Sequence, residues 1–456
     1  MKKILFLLST IFAVQTAIAQ ADENFLLEQY FNYTNGDSID TQTDWAVSTK
    51  TNEHDGKSAI VKDGTLSYTN YAGSDVGKTI YLNSKNQKIE SNAHTTYYTF
   101  VDPSNDRLPI NECLYTAFLV DFSEMNVTTT REVFIYNNNG DANRGRVWVK
   151  TTKDSDNIQF SITKSGTSNI DGIIWSNNVN KNNPVLLVSK YINKSTNSNG
   201  ANDEFYLYVN PDPTKSEEDN SSCKIDAPDN NAGNGANLPR IGFRQQSNYT
   251  ATYAGMRISR IWGKAVAVGI NIGETGWATF CATQNFTLSG NLKAYVVNKS
   301  NASTVSLQEV SVIPANQGVL LKGDKNAKYT LIPTDVGADV TTNLLQANLT
   351  ATTLAATTDD YTNYILVPDD AGGVMFAPSS GSGTLAANRA YLQLPTPADP
   401  AREYVLSFND DELTGIKAVE SSKEKSADVY YDLSGRRVAQ PTKGLYIMNG
   451  KKYIVK

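Results

Sequence analysis

The chain has 456 residues, 41 lysines and arginines against 47 aspartates and glutamates, and a net charge of −6. That balance excludes the basic field that draws nucleic acid or an anionic membrane surface. Three cysteines, without a CxxC pair or a Cys/His cluster, exclude a zinc-type site and allow at most one internal disulfide.

Lys2 and Lys3 precede an apolar run, Ile4 to Val14, broken only by Ser9 and Thr10; Ala17-Ile18-Ala19 follows. These three regions in order read as a secretory signal cleaved after Ala19. The run is shorter than the ~20 apolar residues that span a bilayer. The expectation is an exported protein, extracellular or on the outer cell surface, with the periplasm as the alternative, and not integral to a membrane.

From residue 20 to 265 short strands alternate with turns. Phe25 to Tyr33 opens as a strand or a short helical turn, closed by Asn35-Gly36. Gly64 to Tyr68 alternates as a half-buried strand does. Leu114 to Phe122 is almost continuously apolar, which suits a sandwich core. Glu132–Tyr136, Arg146–Lys150, Asn157–Thr163, Pro184–Tyr191 and Glu204–Val209 follow as strands. Residues 212–237 read as a long loop, and Leu238–Phe243 and Gly255–Trp262 close the series. Such spacing without crossover helices predicts an antiparallel sandwich or barrel.

The order of Phe31-Asn32-Tyr33-Thr34-Asn35-Gly36-Asp37, GTLSY (64–68), GRVWVK (145–150), FSITK (160–164), FYLYVNP (205–211) and MRIS (256–259) resembles concanavalin/laminin-G-like jelly-roll domains of exported Bacteroidetes proteins. The resemblance covers about half of the chain. It implies a two-sheet jelly roll, in a family that binds glycans or proteins and includes some glycoside hydrolases.

Ala265 to Gly269 reads as a small-residue joint, and residues 266–412 as a second, smaller β domain. Its WATFC (277–281), LKAYVV (292–297) and IPANQGVLLKG (313–323) resemble an accessory β domain of Bacteroidetes surface proteins, which implies location rather than chemistry. Leu345–Ala356 reads as a loop or a weak helix. Residues 413–427 are a charged linker, and 428–456 form a C-terminal hairpin turning at Asn449-Gly450. DLSGRRV (432–438) and GLYIMNGKKYIVK (444–456) resemble the end of type IX secretion sorting domains, without the opening strand region of that family.

Ala72 to Thr79 falls one residue short of a phosphate loop, but the strand-like Ile80–Asn83 after it makes it a turn. A jelly-roll glycosidase needs paired carboxylates. Only Asp121 with Glu124 and Asp203 with Glu204 come near, at the wrong spacing. His54 and His94 lie in polar stretches without a nucleophile pattern. Cys113 and Cys223 share the first domain and are free to pair or not; Cys281 reads as a buried thiol.

Sugar binding needs exposed aromatics beside amides and charges. Trp148, Trp175, Tyr249 and Tyr253 are the chosen platforms, with Trp45 and Tyr71 as further aromatics. Asp141, Asp154 and Asp156 are the candidate oxygen ligands for Ca²⁺, and no other cofactor is expected. Asp37-Ser38-Ile39 fits a short O-glycosylation pattern of Bacteroidetes.

The reading is an all-β, antiparallel jelly-roll β-sandwich followed by a second β domain and a hairpin. Its expected role is non-catalytic binding of a glycan at or outside the cell surface. The alternatives are a structural or adhesive protein with protein partners, and a glycoside hydrolase.

Overall fold

The computed structural model describes residues 24–48, 59–83, 94–100, 108–125, 132–138, 143–151, 156–164, 172–194, 202–228, 238, 240–245, 249–358, 360–399, 401–408, 430–431, 437–438, 444–448 and 451–455. The chain divides into two compact units, one ending at Phe408 and one starting at Asn409.

The first unit begins with a two-sheet sandwich. Its strands are β1 (Phe25–Gln29), β2 (Trp45–Ser48), β3 (Ile60–Lys62), β4 (Thr79–Asn83), β5 (His94–Thr99), β6 (Cys113–Asp121), β7 (Glu132–Asn138) and β8 (Asn143–Thr151). They continue as β9 (Asn157–Thr163), β10 (Val179–Asn180), β11 (Val185–Ile192), β12 (Glu204–Val209), β13 (Lys224–Asp226), β14 (Arg240–Gln245) and β15 (Thr250–Ser259). One sheet runs β13-β12-β11-β6-β15-β4-β3, with β1 also on β15; the other runs β10-β9-β8-β7-β14-β5-β2. The jelly-roll expectation therefore stands at the level of an antiparallel all-β sandwich.

Alternation decides which side chains meet between the sheets. Phe118 and Val120 of β6, Leu187 of β11, Phe134 of β7, Val147 and Val149 of β8, and Phe160 of β9 share one core. Each such side chain contributes roughly 1.5–3 kcal/mol on leaving water. The first sheet is also covered on its outer face. Tyr115, Ala117 and Leu119 of β6 and Leu186 and Val188 of β11 pack there against Leu66, Tyr71 and Trp262. Burial on both faces explains why Leu114–Phe122 is apolar without alternation.

Several segments differ from expectation. Residues 64–68 are not a strand but part of that outer cover, with Leu66 buried. The stretch after residue 212 contains a 3₁₀ turn, Glu218–Cys223, and β13. Leu345–Asn348 and Thr352–Thr353 are strands, where a loop or helix was expected. Trp262–Ala265 is a short helix. Buried Arg257 pairs with Glu28 and donates from Nε and Nη2 to the Lys264 carbonyl at 3.1 and 3.0 Å, which ties that helix end to β1 and β15.

The three cysteines are free thiols. Cys113 faces Ile192, Ile192 faces Glu204, and Cys223 lies next to β13. Three strand spacings of ~4.8 Å separate the two chains, too far for a bridge. Burial pushes all three thiols up, Cys281 to about 11. Reductant is expected to leave the unfolding midpoint unchanged, and mass analysis after denaturing alkylation to count three labels; a tightly retained two-thiol deficit would contradict this register.

The second module has three sheets, the smallest pairing Thr352–Thr353 with Thr384–Leu385. Another joins Val268–Asn271, Lys328–Pro333, Phe286–Thr287 and Val312–Ile313. The largest begins at Trp277–Phe280 and includes one parallel pair, Thr304–Val310 with Tyr404–Ser407. Phe280, Phe286 and Leu331 fill one core of this module; Tyr295, Tyr364, Phe376 and Tyr404 fill the other.

The joint between modules is built on Tyr71, which bridges to Val268. Buried Asn388 donates to Thr214 Oγ1 and the Cys281 carbonyl, each at 3.2 Å, and accepts from Asn70 at 3.2 Å. The phosphate-loop-like stretch is thus a turn within the joint, as the sequence implied.

In the second unit, Gly444–Met448 pairs with Lys451–Val455, with Met448 opposite Lys451, and Tyr430–Tyr431 adds to the same sheet. Among the described residues, no helix is long and apolar enough to cross a membrane.

Candidate functional site

β13 ends one sandwich sheet and β10 the other, opposite the ends formed by β3 and β2. Between them opens a cavity of about 530 Å³. Its apolar lining is Trp175, Val179, Val209 and Ile225; its polar lining includes Asn177, Asn178, Ser222, Lys224 and Asp226.

Trp175 is held there by a segment that crosses the outer face of β9. The Ser176 N–H donates to the Phe160 carbonyl at 2.8 Å, the Phe160 N–H donates to Ser176 Oγ at 3.0 Å, and Ser161 Oγ donates to the Ile174 carbonyl at 2.6 Å. Trp175 stays half-buried, packed against Trp148, with the Lys150 ammonium 4.1 Å from its ring centroid. Burial lowers the Lys150 pKa. On the opposite wall, Lys224 lies 3.4 Å from Asp226 and 4.3 Å from the Tyr206 ring centroid.

The loop before β13 is fixed by Glu217. Its carboxylate accepts from Lys190 at 2.6 Å, Tyr208 at 2.5 Å and Tyr115 at 2.7 Å. Burial alone would raise the Glu217 pKa, but these hydrogen bonds outweigh it and hold the group below its ordinary range. Trp262 packs on both tyrosines, at 5.9 Å from Tyr115 and 4.8 Å from Tyr208. The network anchors the wall of the cavity to the outer face of the sheet.

Of the chosen aromatics, Trp175 lines this cavity. Trp148 is a correction: it points away from the core as its alternation with Val147 and Val149 requires, but the 172–178 segment covers it, and its Nε1 donates to Thr163 Oγ1 at 3.0 Å. Tyr249 and Tyr253 are core residues, with Tyr253 4.6 Å from the Phe243 centroid and 6.4 Å from Phe134. Trp45 and Tyr71 are buried too. Lys224 and Asp226 are not among the residues that the sequence singles out; the alternation in Lys224-Ile225-Asp226, within the expected loop of 212–237, is the signal that marks them.

Asp156 is an exposed partner of Lys181 at 3.7 Å. Among the described residues, no group of three or more His, Cys, Asp or Glu is placed to hold a metal ion. Asp141, Asp154, Ala19 and His54 lie outside the described residues. Of the carboxylate pairs, Asp121 caps the Ser123 N–H at 2.6 Å while Glu124 accepts from Tyr81 at 2.6 Å. Asp203 accepts from Tyr191 and the Lys194 N–H, and Glu204 from Tyr206. Each carboxylate has its own structural partner.

No family model matches the chain, and no curated protein matches it. Among solved structures it is similar to an endo-β-1,4-glucuronan lyase from the fungus Trichoderma reesei, at 6% identity, 51% of this chain, 96% of that one and a TM-score of 0.28. It is similar also to the binding domain of botulinum neurotoxin serotype D, at 8% identity, 84% and 98% coverage and a TM-score of 0.27. An alginate lyase from Chlorella virus matches at 10% identity, 51% and 100% coverage and a TM-score of 0.25. At these scores the likeness carries nothing about ligand or chemistry.

Proposed function

We propose that this protein is a non-catalytic glycan-binding protein whose jelly roll takes a sugar in the cavity between β10 and β13. The observation that carries the reading is Trp175, a half-buried indole in a cavity that sets apolar Val179, Val209 and Ile225 beside amides, hydroxyls and one cation–anion pair. An indole offers a flat apolar face to the C–H face of a pyranose, and Asn177, Asn178, Lys224 and Asp226 supply donors and acceptors for its hydroxyls. The leader-like start and sorting-like tail of the sequence support the same reading, since an exported protein would meet external glycans.

The test is a glycan array followed by titration of the full chain and its Trp175→Ala variant. Trp175→Ala is expected to weaken the selected sugar by at least tenfold while the unfolding midpoint moves little, because the ring is half-exposed. Equal affinity in both proteins would overturn the assignment of this cavity. An array silent for the folded protein would overturn the glycan reading.

A further inference from the structure

The Trp175 cavity shares Asp226 with a cavity of about 600 Å³ on one side, and on the other it opens a series of four that leads toward the second module. Asn210 lines both the Trp175 cavity and a neighbour of about 550 Å³. That neighbour shares Tyr68, Asn70 and Asn388 with a cavity of about 350 Å³ at the module joint. Arg389 lines the joint cavity and also a fourth, of about 420 Å³, in the second module beside Trp277. Three half-buried aromatics, Trp175, Tyr68 and Trp277, therefore stand at the start, middle and end.

Charge among the residues that line the four cavities is balanced. Lys224 is matched by Asp226, and Lys328 and Arg389 by Asp75 and Asp212. Lys328 is further occupied by the Tyr71 and Ser74 carbonyls. The lining gives a polyanion no surplus of cations, and the two further lysines nearby, Lys150 and Lys322, lie over the Trp175 and Trp277 rings at 4.1 and 5.2 Å from their centroids. The joint is held by Asn388 and by the Tyr71–Val268 bridge, so the segments of the path share one frame.

We infer that the four cavities form one groove for a linear, uncharged polysaccharide that crosses from the jelly roll into the second module. This rests on the glycan reading of the Trp175 cavity and extends it in length, polarity and module. The second module then contributes binding rather than spacing.

The experiment titrates the full chain with cello-, xylo- and manno-oligosaccharides from disaccharide to octasaccharide, and with carboxymethylcellulose as the charged arm. Affinity is expected to climb with length by roughly tenfold or more, a gain of ~1.4 kcal/mol. Trp277→Ala is expected to remove that gain for the longest chain and leave the disaccharide unaffected, whereas Trp175→Ala weakens every length. Trp277 also packs on Tyr295 and Phe408. Thr384→Trp, which fills the fourth cavity from its exposed rim, must therefore give the same pattern. Affinity independent of length, or a longest chain insensitive to both second-module changes, would overturn the groove while a Trp175-dependent disaccharide site survives. Preference for the carboxymethylated polymer would overturn its uncharged character. Binding of no length would overturn both readings together.

Discussion

Gly255→Ala is expected to cost about 4 kcal/mol or more and to leave little folded protein. Gly255 has φ +56° and sits at the bulge where β15 slips against β6 between Ala254 and Arg257. Its backbone lies on that of Gly73: a Cβ on Gly73 would lie 2.5 Å from the Gly255 oxygen, and one on Gly255 would strike the Gly73 carbonyl. The buried Tyr71 hydroxyl donates to the same Gly255 oxygen at 2.7 Å. A methyl group must therefore push the joint turn off the sheet, since neither backbone can yield like a flexible side chain. The matched control is Gly290→Ala. Gly290 has φ +59°, and its added Cβ would meet nothing closer than 3.8 Å, so only the backbone term of ~1 kcal/mol remains. Chemical denaturation of both variants measures the contrast. Equal costs would mean that the Gly73–Gly255 approach is not tight.

Glu217→Ala is expected to cost about 2–4 kcal/mol, because it leaves the Tyr115 and Tyr208 hydroxyls and the Lys190 ammonium without their shared acceptor. Glu217→Gln keeps an acceptor and is expected to lose less. The two variants also separate charge from contact through pH. The folded-state pKa of Glu217 is depressed, so its stabilisation is complete above the unfolded value of ~4.3 and disappears as pH falls through the folded value. Wild-type unfolding free energy should therefore fall more steeply below about pH 4.3 than that of Glu217→Gln. Parallel curves in that window would show that the carboxylate is not held by this network. Both variants should also loosen the Ser222–Asp226 wall and so weaken sugar binding at Trp175.

Strands were legible wherever one rule acted alone. Asn157–Thr163 and Glu204–Val209 alternate between turn signals, and the structure bounds both at the same residues. Leu114–Phe122 was legible as core, but not the reason for its continuity, which is the cover laid over the outer face by Leu66, Tyr71 and Trp262. The same kind of cover defeated the choice of Trp148. Period two turns it outward, and only the distant 172–178 segment decides that outward means buried. Tyr249, just before β15, and Tyr253 within it stand four apart, a spacing that puts them on one face without saying which face meets the core. Trp175 was legible because Ser176-Asn177-Asn178 marks a loop beside an aromatic. Trp277 and Arg389 were not, since 112 residues separate them in sequence and only the closure of the second module joins them at one cavity.

The pairing of β1 with β15 has a kinetic consequence. Phe25 lies opposite Ser259, so the sandwich cannot complete its first sheet until more than 230 residues have been made. Thr304–Val310 waits likewise for Tyr404–Ser407. Contacts this distant in sequence must cross a large loop-closure barrier before they reward it, so slow refolding is expected, with unpaired strand edges exposed to aggregation during synthesis.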